Sequence, residues 1–319
     1  MNAAKFFIME TVIPRNLGSL YKKCIMLFKN GEDIMRALFT DILPFNLEVI
    51  ADGGQAFRWN RQEDGKYIGV VGNHVFEIVQ NDDELVIDSD ADSKGTGFLK
   101  EYFDISRDYD QIEKEMMSFE ELIPAVNYSS GYRILFQDPW ETTISFIVSA
   151  NNHIRNIKNT IENMCRIYGK PIEYKGETYY SFPSPETLAG LSEDMLRLTK
   201  CGYRAKYIIE TAKMVAGGKI DIYDLKDLPT ADVRKELLMF PGVGRKVADC
   251  IMLYSMRKFD AFPIDVWIKR VLEHIYFDGS QMPLAKLQKF AEKRFNERAG
   301  FVQQYLFHYS RSCWSDMQR

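Results

Sequence analysis

A proline and two glycines interrupt two helical patterns in the segment Leu238–Cys250, LMFPGVGRKVADC. This interruption constrains the fold more than any other feature. A helix that reaches Pro241 cannot continue through it, and Gly242 and Gly244 supply backbone conformations that other residues resist. A second helical pattern begins at about Arg245. The segment therefore predicts a helix-hairpin-helix, whose exposed N–H groups can approach a nucleic-acid phosphate closely.

A helix–helix turn with a glycine cap also explains PGVG by itself, so the lysine that follows is informative. Lys246 falls in the first turn of the second helix, where the helix dipole disfavours a cation. The same field favours a lysine nucleophile, which must lose its proton from an ordinary pKa of about 10.4. A solvated surface lysine is the alternative. Cys250 shares the helix face of Lys246, and is either a neighbour of the lysine, a pocket wall or a small core residue.

Asp265 is the second candidate for chemistry, nineteen residues after Lys246 in the segment AFPIDVW. Pro263 fixes an extended backbone before it, and a predicted helix over Val266–Ile275 follows it. Aspartate is a preferred N-cap at such a position. An ionised carboxylate at a helix start can also stabilise positive charge on a sugar whose glycosidic bond is breaking. We predict that Asp265 serves both purposes.

The pattern along the chain changes from strands to helices near Ser93. Short β-branched and aromatic runs between turn sequences predict antiparallel strands at Phe45–Ala51, Gln55–Asn60, Tyr67–Gly72, Val75–Gln80 and Glu84–Ile87. Helical spacing or start signals predict helices at Gly95–Phe103, Asp110–Leu122, Pro139–Tyr168, Ser184–Ala189, Glu193–Leu198, Ala205–Gly217, Ala231–Phe240, Arg245–Met256, Val266–Ile275, Met282–Phe295 and Ala299–Cys313. The prediction is an α+β fold: a leader of uncertain role over 1–44, an antiparallel β-rich domain over 45–135 and an all-helical domain over 136–319.

The charge is unevenly distributed along the chain. The formal charge is −4, but residues 81–121 carry a net −10 and residues 200–270 a net +5. A basic face can therefore coexist with an acidic total, and the total neither supports nor excludes nucleic acid. The five cysteines form no CxxC pair, which predicts reduced thiols, a cytoplasmic protein and no metal site. The sequence contains no run of eighteen apolar residues, so it predicts no membrane-spanning helix.

Taken together, PGVGRKVADC, the aspartate in PIDV and the segment GGQAFRW at Gly53–Trp59 resemble the helix-hairpin-helix DNA glycosylases. More narrowly, they resemble the bacterial branch of the 8-oxoguanine DNA glycosylase/AP lyases, from about Phe45 to about Ser312. The resemblance implies a TBP-like N-terminal sheet and duplex DNA containing 8-oxoguanine as the partner. It also implies a monomer that needs no cofactor.

The resemblance further implies roles for individual residues. Lys246 would attack C1′ of the damaged nucleotide and form a Schiff base that permits β-elimination, while Asp265 stabilises the developing charge. The Gly54 carbonyl would accept a hydrogen bond from the N7 proton that oxidised guanine has and guanine lacks, although a strand turn also explains this glycine. The other implied substrate contacts are Phe146, Cys250, Pro263, Gln303, which bonds the Watson–Crick edge, and Phe307, which stacks on the base or else belongs to the helix core. The implied DNA contacts are Asn151, Tyr203, Arg204, Gly242, Val243, Gly244 and Arg245.

The chain departs from the better-known animal pattern at two positions. Asn156 stands where an arginine helps to select cytosine opposite the lesion, which predicts weaker opposite-base discrimination. Trp267 stands where a histidine contacts DNA phosphate, which leaves it a packing or sugar-stacking residue. Two alternatives stay open: a glycosylase of the same superfamily for another damaged base, and a non-catalytic DNA-binding module, which would not need Lys246, Asp265, Gln303 and Phe307 together.

Overall fold

The computed structural model describes residues 6–13, 22–29, 35–90 and 95–317, with side chains in 35–90 and 98–314. An antiparallel sheet of seven strands comes first, in the order β1-β2-β3-β7-β6-β5-β4. Its strands are β1 Phe6–Ile13, β2 Lys22–Lys29, β3 Met35–Phe39, β4 Trp59–Arg61, β5 Tyr67–Val71, β6 His74–Asn81 and β7 Glu84–Ser89. Helices follow the sheet, which confirms the predicted α+β class.

Three of the strands, β1 to β3, come from the first 44 residues, for which no strand was predicted. Strand β3 pairs with β7 in a register that sets Ala37 opposite Ile87. Both side chains are fully buried, as are Met35 and Phe39 at the ends of β3. Part of the segment treated as a leader thus belongs to the sheet and its core.

The strand predicted at Phe45–Ala51 is wrong, because this segment forms a helix, Leu47–Asp52. Asn46 caps this helix, since its side-chain oxygen accepts a hydrogen bond from the Val49 amide at 3.2 Å. A short apolar run is ambiguous between strand and helix, and the cap decides it here. The strand predicted at Gln55–Asn60 begins only at Trp59.

The helical part begins at residue 95. Its helices, counting the one before the sheet's fourth strand as α1, are α1 Leu47–Asp52, α2 Gly95–Tyr102, α3 Tyr109–Met117, α4 Ile123–Ser129, α5 Pro139–Ser149, α6 Ile154–Tyr168, α7 Pro185–Ala189, α8 Glu193–Arg197, α9 Arg204–Ala216, α10 Thr230–Leu237, α11 Arg245–Ser255, α12 Val266–Tyr276, α13 Leu284–Phe295 and α14 Ala299–Met317. Within the described ranges, none of these helices has the length and apolar character that crossing a bilayer requires.

The single helix predicted over Pro139–Tyr168 is in fact two, α5 and α6. Asp138 caps α5 by accepting the Glu141 amide at 2.8 Å, and Pro139 occupies the first turn. The chain leaves the helix at Ala150, and Asn151 adopts a positive φ of 50°. Asparagine tolerates this conformation better than most residues do. The break projects a short loop between the two helices.

A hairpin inside the helical part packs against the sheet. Its strands are β8 Pro171–Tyr174 and β9 Glu177–Tyr180, in the segment predicted as a loop or small hairpin. The buried Tyr174 packs with Val70 and Val75 of the sheet, and Lys175 donates to Glu77 at 3.0 Å. The hairpin thus joins the helical part to the sheet beside the segment that carries GGQAFRW.

Candidate active site

A cleft of about 930 Å³ collects side chains from distant parts of the sequence. The predicted residues that line it are Gly54, Phe146, Asn151, Lys246, Asp265 and Phe307. A more open groove of about 1110 Å³ contains none of the predicted residues and is lined instead by side chains such as Phe119 and Phe295. The chemistry is therefore assigned to the smaller cleft.

Lys246 lies in the first turn of α11, directly after the hairpin. Its Nζ is 5.2 Å from the ring centre of Phe146, whose other neighbours are Phe57 and Tyr254. An ammonium over a ring face is held by the ring quadrupole. This contact, and the position of Lys246 in the first turn of α11, orient the lysine side chain towards the cleft.

Cys250 lies one turn beyond Lys246 and is almost fully buried. Burial raises the pKa of the Cys250 thiol to about 11, and the charge on Lys246 acts in the opposite direction. Cys250 is therefore a neutral thiol near neutral pH. Cys250 is therefore both a neighbour of the lysine and a small buried residue, which are two of the three alternatives that the sequence left open.

Asp265 is the N-cap of α12, as predicted, because its Oδ1 accepts the Ile268 amide at 2.8 Å. The buried Pro263 leads into it. Burial raises the pKa of the Asp265 carboxyl above its usual range, while the hydrogen bond from Ile268 and the charge on Lys246 oppose this rise. The cleft thus pairs a half-buried carboxylate with the lysine.

The turn before Phe57 is fixed by two glycines with different requirements. A Cβ on Gly53 would lie 1.8 Å from the Tyr132 hydroxyl, and Gly54 has a positive φ of 88°. The buried Gln55 holds the turn, because it donates to the Arg133 carbonyl at 2.8 Å and accepts from the Leu135 amide at 2.9 Å. Gly53 ends a helix rather than a strand, so the strand-turn alternative for this segment is wrong.

Arg58 fixes the same segment to the helical part. It donates to the Tyr180 carbonyl of β9, and its Nη1 is 3.9 Å from an oxygen of Glu141 on α5. Burial raises the pKa of Glu141 to about 7, with Arg58 acting in the opposite direction. The Glu141 carboxyl therefore titrates near neutral pH, next to the wall of the cleft formed by Phe57.

Because the folded protein holds the Glu141 proton more tightly than the unfolded chain, this group stabilises the fold fully below about pH 4.5. That contribution is lost as the pH rises through about 7, by roughly 3 kcal/mol at most. Urea denaturation at pH 5, 6, 7 and 8 should show this decline in wild type and a flatter profile in Glu141→Gln. The exposed Asp110→Asn is the control, and parallel profiles for wild type and Glu141→Gln would exclude this origin.

One face of α14 contributes a stripe at helical spacing, Gln303, Phe307 and Arg311. Gln303 is 3% exposed, and its side-chain oxygen accepts no hydrogen bond from the residues that the structure describes. Phe307 is half-buried, and the Arg311 guanidinium lies 5.5 Å from its ring centre. Arg311 also lines the cleft and was not among the predicted residues. Extending the i, i+4 pair by one more turn would have found it.

The loop between α5 and α6 is held by Arg204. This buried guanidinium donates to the Ala150 carbonyl at 3.1 Å and to the Asn151 carbonyl at 3.1 Å. It also lies 4.6 Å from the ring centre of Tyr203, which is 57% exposed. Arg204 thus fixes the backbone under Asn151 and the ring of Tyr203. The Arg204 guanidinium already donates to these two carbonyls, so its implied contact with DNA stays a prediction.

The hairpin has the geometry that its sequence predicts. Gly242 has a positive φ of 79°, and a Cβ there would lie 2.8 Å from the Tyr207 ring. Gly242 and Gly244 are exposed, whereas Val243 packs into the core. Gly244 is the N-cap of α11, so the unpaired amides of the first turn point outwards beside it.

An ion-pair network fixes the two helices around the hairpin. The fully buried Asp249 of α11 accepts from Arg234 of α10 at 2.8 Å. Arg245 pairs with Glu292 of α13 at 2.5 Å and lies 3.6 Å from Asp249. Arg245 was predicted to bind DNA, and its side chain is engaged in this network, which leaves its backbone amide as the group available to a phosphate.

The two departures from the animal pattern lie near the cleft. Asn156 is exposed in the first turn of α6, beside the loop that carries Asn151. Trp267 lines the cleft two residues after Asp265, and the Arg270 guanidinium lies 5.4 Å from its ring centre. Trp267 therefore presents an aromatic surface next to the predicted sugar position.

The site therefore combines a glycine hairpin suited to a phosphate with a first-turn lysine and a helix-capping aspartate that line one cleft. Residues 144–297 match the family model "HhH-GPD superfamily base excision DNA repair protein". Residues 37–143 match "8-oxoguanine DNA glycosylase, N-terminal domain". The chain belongs to the 8-oxoguanine DNA glycosylase family.

Individual relatives agree with this assignment. The chain is 37% identical to a "Probable N-glycosylase/DNA lyase" of Methanothermobacter thermautotrophicus over 66% of this chain and 71% of that protein. It is 32% identical to the "N-glycosylase/DNA lyase" of Saccharomyces cerevisiae over 72% and 68%. A crystal structure of the Clostridium acetobutylicum 8-oxoguanine glycosylase/lyase with double-stranded DNA superposes with a TM-score of 0.82 and 37% identity, over 96% of this chain and 98% of that one.

Proposed function

We propose that the protein is a bifunctional DNA glycosylase and AP lyase that excises 8-oxoguanine from duplex DNA. The observation that carries this proposal is the convergence of Lys246, Asp265 and Gly54 on one cleft. A nucleophile, a carboxylate and a reader of the oxidised base are the three parts that the reaction needs. The named activities of the relatives support the same function.

The chemistry begins with the damaged nucleotide rotated out of the duplex into the cleft, at a cost of a few kcal/mol. The neutral Lys246 amine attacks C1′, the C1′–N9 bond breaks, and its electron pair leaves with the base, which takes up a proton. The ionised Asp265 stabilises the positive charge that develops on the sugar. The Phe146 ring and the neutral thiol of Cys250 border this lysine.

Strand cleavage follows from the covalent intermediate. Opening of the sugar ring leaves a protonated Schiff base between Lys246 and C1′. This cation acidifies the C2′ protons, so that loss of one of them expels the 3′ phosphate and nicks the strand. Hydrolysis of the Schiff base then returns the free lysine.

Recognition of the base and of the duplex uses the remaining residues. The Gly54 carbonyl accepts a hydrogen bond from the N7–H group of the oxidised base, whereas it would face a lone pair on N7 of guanine. Phe307 stacks on the base, and the unpartnered Gln303 oxygen accepts from its Watson–Crick edge. Tyr203 and Asn151 occupy the gap in the duplex, and the hairpin amides hold a phosphate.

The proposal is tested with duplexes that each carry one lesion: 8-oxoguanine, an alkylated purine or an oxidised pyrimidine. Borohydride reduces the Schiff base to a stable protein–DNA adduct. We expect an adduct and base release with 8-oxoguanine, and at least about tenfold less with the other lesions, since a lost reader contact costs about 1–3 kcal/mol. Preference for another lesion would reassign the substrate, and equal binding of all duplexes without release would support the DNA-binding module.

Opposite-base selectivity should be weak in the wild type, because Asn156 lacks the guanidinium that reads cytosine. Asn156→Arg should raise the preference for 8-oxoguanine opposite cytosine over adenine, guanine or thymine by about tenfold, as one good base contact allows. Single-turnover excision rates on the four duplexes measure this. Asn159→Arg, exposed one turn further along α6, adds the same charge as a control. A strong cytosine preference already in the wild type would contradict the argument.

We further propose that the enzyme acts as a monomer on the chromosome in the bacterial cytoplasm. The four described cysteines, Cys165, Cys201, Cys250 and Cys313, are free thiols, as is usual in a reducing compartment. The net charge of +5 over residues 200–270 suits a backbone-binding face.

A further inference from the structure

The guanidinium of Arg311 is a half-buried cation that lines the cleft and that the mechanism above does not use. Its Nη1 is buried and makes no hydrogen bond with the described residues. Its Nη2 donates to the Asp52 carbonyl at 3.3 Å. A buried donor without an acceptor is costly, and such groups are rare in folded proteins. The surroundings of Arg311 Nη1 should therefore show which acceptor this nitrogen can bind.

That position is next to the carbonyl proposed to read N7. A Cβ built on Gly54 would lie 3.5 Å from Arg311 Nη1, 3.5 Å from Phe307 Cε1 and 3.1 Å from Ile154 Cδ1. An acceptor, the Gly54 carbonyl, and a donor, Arg311, thus belong to one small surface. The Phe307 ring borders the same surface, with its centre 5.5 Å from the Arg311 guanidinium.

The spacing along α14 places Arg311 at the opposite end of the base from Gln303. Eight residues of helix separate the two, a rise of about 12 Å, with the stacking Phe307 midway between them. Among the described residues, the Gln303 oxygen has no donor and Arg311 Nη1 has no acceptor. If Gln303 takes the Watson–Crick edge of the base, Arg311 takes the edge that carries N7.

We propose that Arg311 is a specificity-determining residue that donates a hydrogen bond to the carbonyl oxygen beside N7 of the damaged base, O8 or O6. With the Gly54 carbonyl it forms a donor–acceptor pair that matches the N7–H and an adjacent C=O of 8-oxoguanine. This inference rests on the proposed function of the cleft. It adds a charge-assisted contact that an apolar side chain at this position cannot make.

The test measures single-turnover base excision from an 8-oxoguanine duplex and strand cleavage of a duplex with a preformed abasic site. Arg311→Met should slow excision about 10- to 100-fold, as loss of a hydrogen bond from a charged group does. Cleavage at the abasic site should change less than about twofold, because no base is present to be read. Arg311→Lys, which keeps a donor, should recover part of the excision rate. Arg298→Met, which breaks the pair with Glu115 outside the cleft, is the matched control.

The outcomes separate a reader from a merely structural residue. Equal losses on both duplexes, or no loss on either, would overturn the role of Arg311. A wild type that cleaves abasic sites but releases no 8-oxoguanine would instead refute the proposed function. Affinity for an 8-oxoguanine and an 8-oxoadenine duplex, measured with Lys246→Gln and with Lys246→Gln plus Arg311→Met, distinguishes the two oxygens. A loss of affinity on changing Arg311 with both 8-oxoguanine and 8-oxoadenine assigns O8, which both bases carry, and a loss with 8-oxoguanine alone assigns O6, which 8-oxoadenine lacks.

Discussion

Lys246→Gln should lower the rate of base excision by roughly four orders of magnitude or more, as removal of a nucleophile does in other covalent enzymes. Glutamine has a similar length and good helix propensity, so α11 should persist while the amine is lost. The borohydride-trapped adduct with an 8-oxoguanine duplex should disappear, because no Schiff base can form at this position. Single-turnover excision and adduct yield on a denaturing gel measure both effects.

Binding provides the control for this variant. Affinity of Lys246→Gln for the same duplex should stay within a few-fold of wild type, since the hairpin and the loop at Asn151 are unchanged. Lys114→Gln removes a charge from the exposed side of α3, outside residues 200–270, and should leave both activities intact. An adduct that persists in Lys246→Gln would mean that another amine is the nucleophile.

Asp265→Asn should slow base excision about 10²- to 10³-fold, the usual effect of losing one electrostatic contact to a developing charge. Asparagine caps helices as well as aspartate does, so its side-chain oxygen should still accept the Ile268 amide. The free energy of unfolding should therefore be nearly unchanged. Asp265→Ala loses the cap as well and should cost about 0.5–2 kcal/mol of stability. Urea denaturation and single-turnover kinetics together separate the two roles.

The pH dependence of excision provides a second test of Asp265. Burial raises the pKa of its carboxyl, and the reaction needs the ionised form. The rate should therefore fall on the acid side at a pH above the ordinary range of aspartate, and this limb should vanish from the residual activity of Asp265→Asn. A rate for Asp265→Asn close to that of wild type would show that the carboxylate is only a helix cap.

The family and the reaction could be predicted from the sequence because their signals are local. Pro241, Gly242 and Gly244 break a helix and form a turn through their own backbone restrictions. Lys246 and Asp265 each occupy a helix start, where the dipole and the capping preference depend on neighbouring residues alone. Such signals do not need the rest of the fold to be recognised.

Local patterns were misleading where tertiary context decides the outcome. The apolar run after Phe45 suits a strand or a helix equally, and the cap by Asn46 makes it a helix. The long helical pattern from Pro139 conceals the break at Asn151, whose backbone is held by Arg204 from another helix. The residues next to Asn151 in the sequence do not indicate this contact with Arg204.

By itself, then, the sequence determined the hairpin, the capped helix starts and the identities of the lysine and the carboxylate, since each depends on backbone restrictions within a few residues. Only the tertiary structure decided which side chains share the cleft and what state burial gives them. Gly54 meets Arg311 across 257 positions of sequence, and the neutral thiol of Cys250 follows from desolvation by the assembled core. Both effects arise from packing between distant segments, and packing is what a linear pattern leaves unspecified.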